Sequence, residues 1–335
     1  MHSSIPRYLE HLTDKGRAPL TLKAVRSDLT GFATWWEDAR QRPFDPMLLR
    51  ERDIHDWRTH RQRDAAAAPT SLNRALISLR AYLTWATTAG FATANPAEAV
   101  KALPTSAPVP RSIPAAAVDA LLRSVRAERN ERVRLRDEAL LALLAHVGLR
   151  AQETCDLQVR DLDLDGMTVT VRRGKGGRSR RVLLNTETVA VLRSYLKHVR
   201  CPHGVPAFGS EAEREPLLVG FDHTSAGRPM QLGINQRLVQ RVVEQRAHEA
   251  AERLRADVPN VASLERAADL LDMAQRLEHT TPHTLRHSLA RRMLASGADV
   301  AMVQRTLGHS SIATTGMYLT PSDDDLRIAM ERATP

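Results

Sequence analysis

Four prolines in eleven residues, Pro104, Pro108, Pro110 and Pro114 of PTSAPVPRSIP, limit what this chain can fold into more than any other stretch. Proline lacks a backbone N–H and clashes with the preceding turn, so no helix continues through such a run. Pro-rich segments stay extended and semi-rigid. The chain therefore divides there, into 1–103, a linker over 104–114, and the remainder. With 335 residues, 42% of them hydrophobic, both sides carry enough apolar chain to bury a core. Residues 1–103 read as helices throughout. Leu22, Val25, Leu29, Phe32 and Trp36 recur at helical spacing, as do Leu72, Leu76, Leu79 and Leu83 after the Pro69 start signal. Asp53 reads as the N-cap of a helix through Arg61. Arg58, Arg61, Arg74 and Arg80 fall opposite the apolar stripes, where they would be solvated or line a polyanion.

Beyond the linker the pattern is mixed. Helices are expected over Ala117–Val125 and Arg136–Val147, the second stopped by Gly148. Met167–Arg173 and Arg180–Leu184 alternate β-branched with polar residues and predict a hairpin. The intervening GKGGRS is glycine-rich and basic, but GxxxxGK[ST] is absent and no helix follows, which disfavours a nucleotide-binding P-loop. Thr186–Val199 is an amphipathic helix with Tyr195 in its core face. Residues 200–232 are loop plus a short strand at Leu217–Val219, followed by a helix from Leu232 to about Ala256. A further helix within 257–278 would bury Leu264, Ala268, Leu271 and Leu277. The fold class is mainly α with a small β-sheet, in two domains.

Lys and Arg together number 48 against 39 acids, a net charge of +9 and a pI near 10.2. Such an excess points to a polyanionic partner, and an arginine-rich one favours bidentate phosphate contacts. Cys155 reads as a small core residue. Cys201-Pro202-His203 is half a metal site with no second half in the sequence, so neither a metal nor a cofactor is expected. No run reaches the eighteen apolar residues of a membrane span, and MHSSIPRYLE lacks the apolar stretch of a signal peptide. A soluble, reduced, cytoplasmic protein without a membrane partner is expected.

The chemistry concentrates in TPHTLRHSLARRMLASGADVAMVQRTLGHSSIATTGMY, Thr281 to Tyr318. Pro282 opens a helix, with His283 and Arg286 three apart on one face. Leu285, Leu289, Met293 and Leu294 anchor it, and Gly297 closes it. A second helix, Val300–Leu307, stops at Gly308, immediately before His309. Tyr318 stands nine residues on, one of only four tyrosines. Two histidines, an arginine and a phenol suit an oxyanion held by cations and attacked by the phenol.

This stretch resembles the C-terminal signature of the tyrosine recombinases, the phage-integrase family: HTLRH, then LGHSS, then a tyrosine. Upstream, GLRAQETCDLQVRDLD resembles the family's first box, with Arg150, Glu153, Leu157 and Asp161 in the expected places. An ion pair between Arg150 and Glu153 on one helix face fits the same spacing. The resemblance implies a SAM-like helical core-binding domain over 1–103 and a mixed α/β catalytic domain over 115–320. It also implies a tail helix over 321–335, docked on a neighbouring subunit. It makes Tyr318 the nucleophile, His283 the proton acceptor, His309 a phosphate hydrogen-bond donor, Arg150 and Arg286 the phosphate clamp, and Lys175 at the hairpin tip the general acid.

The implied activity is site-specific cleavage and rejoining of double-stranded DNA through a 3′-phosphotyrosyl bond and a Holliday junction, without a metal or ATP. The implied partners are short inverted-repeat core sites and a homotetramer on two duplexes, or a tetramer with a related recombinase, at the nucleoid. Relaxation of a single duplex in the manner of a type IB topoisomerase is the nearest alternative, and DNA binding without recombination the next. The core-binding helices begin almost at Met1, which favours a simple recombinase lacking an arm-site domain. For the 257–278 segment the sequence leaves domain packing, a neighbouring protomer and DNA contact all open.

Overall fold

The computed structural model describes residues 2–63, 66–105, 112–172, 179–207, 209–221 and 229–308. Lys175, His309, Tyr318 and the tail over 321–335 lie outside them. The chain forms two compact units, Met1–Val109 and Pro110–Pro335.

The first unit holds α1 (Ser4–Asp14), α2 (Pro19–Arg40), α3 (Glu51–Arg63) and α4 (Pro69–Thr88). Pro19 and Pro69 occupy the first helical position, where the missing N–H removes no bond. Trp36, Tyr82, Phe32 and Phe44 are fully buried where these helices meet. Helix α3 begins two residues before Asp53, so Asp53 is not its N-cap. Its carboxylate instead accepts the Arg50 backbone N–H at 2.9 Å and pairs with Arg40. A negative charge in the first turn suits the helix dipole.

Three of the four arginines read as solvated or polyanion-lining make contacts within the unit instead. Arg58 donates to the Lys101 carbonyl at 2.8 Å, and Arg80 to those of Ala97 and Val100 at 3.0 and 2.6 Å. Arg74 pairs with Asp28 at 2.7 Å. The segment after α4 runs back along the helices without a ladder of its own, so its carbonyls need side-chain donors. Arg61 is exposed.

The second unit opens with α5 (Ala115–Ser124), α6 (Glu131–Ala145) and the short α7 (Ala151–Cys155). A three-stranded antiparallel sheet follows: β1 (Leu162–Asp163), β2 (Thr168–Val171) and β3 (Arg180–Leu183), with β2 in the centre. Val169 faces Val182 across the central pair. The sequence pattern missed β1, which is only two residues long. Helix α8 (Thr186–Tyr195) runs into a π-helical turn, Leu196–Arg200. A separate ribbon joins β4 (Val219–Phe221) to β5 (Pro229–Gly233), and β5 has no alternating pattern to announce it. Asn235 caps α9 (Gln236–Asp257), and α10 (Leu264–Glu278), α11 (Pro282–Ala295) and α12 (Val300–Leu307) complete the described unit.

Helix α10 exists, but it buries Leu270, Met273, Ala274 and Leu277, while Leu264 and Leu271 are exposed. Leu277 is buried as expected, but packing against α9 takes Leu270, Met273 and Ala274 in place of Leu264, Ala268 and Leu271. No described helix is long and apolar enough to cross a membrane.

One buried ion cluster ties α6 to α9. Arg246, 3% exposed, donates to Asp137 at 2.7 Å, to Glu128 at 2.8 Å and to Glu249 at 3.0 Å. Arg136 takes the other oxygen of Asp137 at 2.7 Å. Removing one partner of such a cluster strands the others in a low dielectric. Asp137→Ala is expected to lower unfolding stability by about 3–5 kcal/mol, read by urea denaturation followed by far-UV circular dichroism. A loss below about 1 kcal/mol would mean that water reaches the cluster.

Candidate active site

The site is assembled at the junction of three helix ends. Helix α6 ends at Ala145, and the turn after it passes through Gly148, whose φ of 72° is left-handed and open to glycine at little cost. A Cβ there would fall 2.7 Å from Leu289 Cδ2 and 2.8 Å from Leu307 Cδ2, so the turn is pressed against both α11 and α12. Leu149 is fully buried, and Arg150 follows as the N-cap of α7. Helix α12 ends the same way, at Gly308 with a φ of 65°.

Arg286 of α11, 1% exposed, joins these ends: it donates to the Gly148 carbonyl and to the Leu307 carbonyl. Arg292, further along α11, donates to the Ala145 carbonyl. The last carbonyls of a helix lack intrahelical partners and carry the negative end of its dipole, so buried guanidinium groups are well placed there. Ser288 Oγ accepts the Ile113 N–H at 2.9 Å and fixes the entry to this unit on the same helix.

Arg150 Nη1 donates to Glu153 Oε1 at 2.6 Å, and Arg150 Nη2 lies 3.5 Å from the Gly308 carbonyl. The ion pair that the spacing allowed is present. It does not stand alone, because Arg180 at the start of β3 grips both Glu153 oxygens, at 2.8 and 2.7 Å. Burial by itself would raise the Glu153 carboxyl. The Arg180 hydrogen bonds, the Arg150 backbone N–H and the charge of Arg180 outweigh it and hold the group at about 2. Arg180 escaped the sequence reading, since strand alternation says nothing about which carboxylate a side chain will meet.

His283, on the first turn of α11, is exposed, unlike Arg286 on the turn above it. The two do not share an open face. Partial burial of the ring, with the charges of Arg286 and Arg150, lowers the His283 pKa and favours the neutral imidazole. His287 is buried edge-on against it, ring centroids 4.2 Å apart. Burial, then His283 and Arg286, push His287 down to about 4. The structure thus gathers Arg150, Arg286 and His283 around the end of α12, together with Glu153, Arg180 and His287. The segments bearing Lys175, His309 and Tyr318 are outside the described residues. Of the two cysteines, Cys201 is buried, and burial followed by the charge of Asp156 pushes the Cys155 thiol up to about 11.

A cationic cluster at converging helix ends, on a basic chain, suits a phosphodiester partner. The chain belongs to the phage integrase family, whose model matches residues 113–324, with the SAM-like N-terminal domain of phage integrases matching 5–90. The tyrosine recombinase XerC of Methylobacterium sp. (strain 4-46) is 32% identical over 95% of this chain and 88% of its own length. XerC of Xanthomonas campestris pv. campestris (strain B100) is 32% identical over 94% and 83%.

Among solved structures, the Tn1549 transposon integrase in complex with a circular intermediate DNA superposes with a TM-score of 0.64 at 18% identity, covering 99% of this chain and 100% of that one. XerH recombinase bound to palindromic difH substrate gives 0.64 at 18%, covering 98% and 84%. At such identities the likeness is one of fold. The chain is a tyrosine recombinase of Xer-like type, and its activity is site-specific DNA recombination by strand transfer.

The His287 shift gives the site a pH signature. In the unfolded chain a histidine takes up its proton near 6.5, in the folded unit only near 4. Between the two the unfolded state binds more protons, so stability rises with pH and is lost as pH falls from about 6.5 to about 4. The contribution is at most about 3 kcal/mol. Urea titrations at pH 7 and pH 4.5 should show a smaller acid loss for His287→Gln than for the wild type. Equal losses would assign the acid sensitivity to other groups.

Proposed function

We propose that Tyr318 is the nucleophile of this recombinase. The observation that carries the reading is the state of the other three tyrosines. Tyr8, Tyr82 and Tyr195 are all buried. Burial raises the phenol of Tyr8, and pushes those of Tyr82 and Tyr195 up to about 12. The Tyr195 hydroxyl is also committed to the Leu217 carbonyl at 3.1 Å. A buried, hydrogen-bonded phenol that resists ionisation is a poor attacking group. Tyr318 is the one that remains, ten residues beyond the Gly308 cap around which the cations gather.

In this reading the Tyr318 oxygen bonds to the scissile phosphorus as the bond to the 5′-oxygen breaks, leaving a 3′-phosphotyrosyl link. His283 takes the phenol proton, a role suited to a histidine kept neutral by partial burial and by the neighbouring arginines. Arg150 and Arg286 neutralise the non-bridging oxygens, where charge builds in the transition state. His309 hydrogen-bonds the phosphate, and Lys175 delivers a proton to the departing 5′-oxygen. The covalent link retains the phosphodiester energy, and the 5′-hydroxyl of a second strand reverses the step.

The finer assignments extend the same reading. Residues 1–103 and 115–320 are the core-binding and catalytic domains, joined by the linker over 104–114. They act on short inverted repeats in duplex DNA as a homotetramer on two duplexes, or with a related recombinase, through a Holliday junction. The 321–335 tail docks on a neighbouring protomer, and the work is done in the cytoplasm at the nucleoid.

Tyr318→Phe should bind half-site DNA normally and form no covalent complex on a nicked suicide substrate, as resolved by denaturing gel electrophoresis. A trapped complex in this variant would move the nucleophile elsewhere. Cleavage by the wild type should also survive EDTA, because the charge stabilisation is assigned to protein cations. Loss on chelation, restored by a divalent metal, would replace this mechanism with a metal-dependent one. Efficient relaxation of plasmids lacking any recognition site would favour the topoisomerase alternative.

A further inference from the structure

We propose that Arg180 is a positioning residue: it saturates Glu153, and so keeps Glu153 from drawing Arg150 away from the scissile phosphate. The inference rests on the reading of Arg150 as a phosphate ligand.

A carboxylate offers about four lone-pair positions. On Glu153 all four are taken. Oε1 accepts from Arg150 Nη1 at 2.6 Å and Arg180 Nη1 at 2.8 Å. Oε2 accepts from the Arg150 backbone N–H at 3.0 Å and Arg180 Nη2 at 2.7 Å. Arg180 therefore holds the bidentate, fork-to-fork position, and Arg150 keeps a single side-chain bond. Without Arg180 that position is vacant beside Arg150, three residues from Glu153. Fork pairing is the geometry that a guanidinium and a carboxylate prefer. Glu153 is 4% exposed, and at that burial the attraction is little screened. Arg150 would then be held by a carboxylate in place of a phosphate.

The charge balance points the same way. Arg150 and Arg180 around one carboxylate leave a net positive charge that attracts an anion; Arg150 and Glu153 alone leave none. The side chain is also fixed in position. A Cβ on Gly308 would fall 2.5 Å from Arg180 Nε and 2.6 Å from its Cδ, so Arg180 lies flat against the cap of α12. Among the described residues its buried Nε–H has no hydrogen-bond partner, a cost in stability that accompanies the packing against Gly308.

The test compares single-turnover formation of the covalent complex on half-site suicide DNA carrying either an ordinary scissile phosphodiester or a methylphosphonate. The methylphosphonate has lost the negative charge that Arg150 would neutralise. Arg180→Ala should cleave the phosphodiester at least about tenfold more slowly than wild type, with half-site affinity within about threefold. On the methylphosphonate the defect should shrink to within about threefold. Adding Glu153→Gln, which keeps an acceptor but removes the charge, should restore part of the lost rate on the phosphodiester.

An unchanged rate, or an equal defect on both substrates, overturns the proposal. Arg150→Ala run in parallel separates the two levels of argument. If its defect persists on the methylphosphonate, the reading of Arg150 fails. If Arg150→Ala is rescued and Arg180→Ala is not, only the inference about Arg180 fails. Should Arg180→Ala not bind half-sites, Arg180→Lys, which keeps the charge but not the fork, is judged by the same comparison.

Discussion

The buried guanidinium of Arg286 is the contact on which the rest of this site depends. It bridges the carbonyl ends of two chain reversals, at Gly148 and at Leu307, that are far apart in sequence. Both carbonyls lie at or beyond a helix end, where intrahelical partners run out. One side chain from α11 therefore ties the turn after α6 to the C-terminal end of α12. Arg150 is carried by the first reversal and His309 follows the second in sequence. The spacing between a box near residue 150 and a motif near residue 308 is thus set by a single cation at 286.

Around that bridge the electrostatics are arranged to stay positive without tearing the fold apart. Several guanidinium groups close together would repel one another in a low dielectric. Glu153, kept ionised by the same arginines, offsets part of that charge. The balance also bears on the histidines. Burial first, and then the charges beside them, disfavour a proton on His283 and His287, so both are held neutral next to the arginines that would hold a phosphate. A base and a charge clamp can then share one small volume, since burial, reinforced by the clamp, keeps the base unprotonated.

Much of this was legible in the sequence, for identifiable reasons. The stops at Gly148, Gly297 and Gly308 were readable because only glycine takes the left-handed turn cheaply, and all three have positive φ. Helices α11 and α12 could be bounded closely because Pro282 marks the start of one and Gly308 the end of the other. What escaped was anything decided by a partner distant in the chain. Arg58, Arg74 and Arg80 look like a cationic face on a helical wheel, yet carbonyls at Ala97–Lys101 and the Asp28 carboxylate claim them. Leu264 and Leu271 look like core until α9 selects the neighbouring stripe. Arg180 looks like one more basic strand residue until Glu153 is brought beneath it.

The two glycine caps bear on more than chain reversal. At 148 a side chain would collide with Leu289 and Leu307, which are buried leucines of α11 and α12. At 308 it would collide with Arg180, which is locked to Glu153. Each glycine therefore sets a distance as well as a dihedral: one between α6 and the helices behind it, the other between α12 and the strand beside it. Asparagine, which also tolerates left-handed backbone, would satisfy the dihedral at either place and still fail on distance. The requirement for glycine at these motif positions follows from close approach, and the close approach is what brings Arg150, Arg286 and the end of α12 within reach of one another.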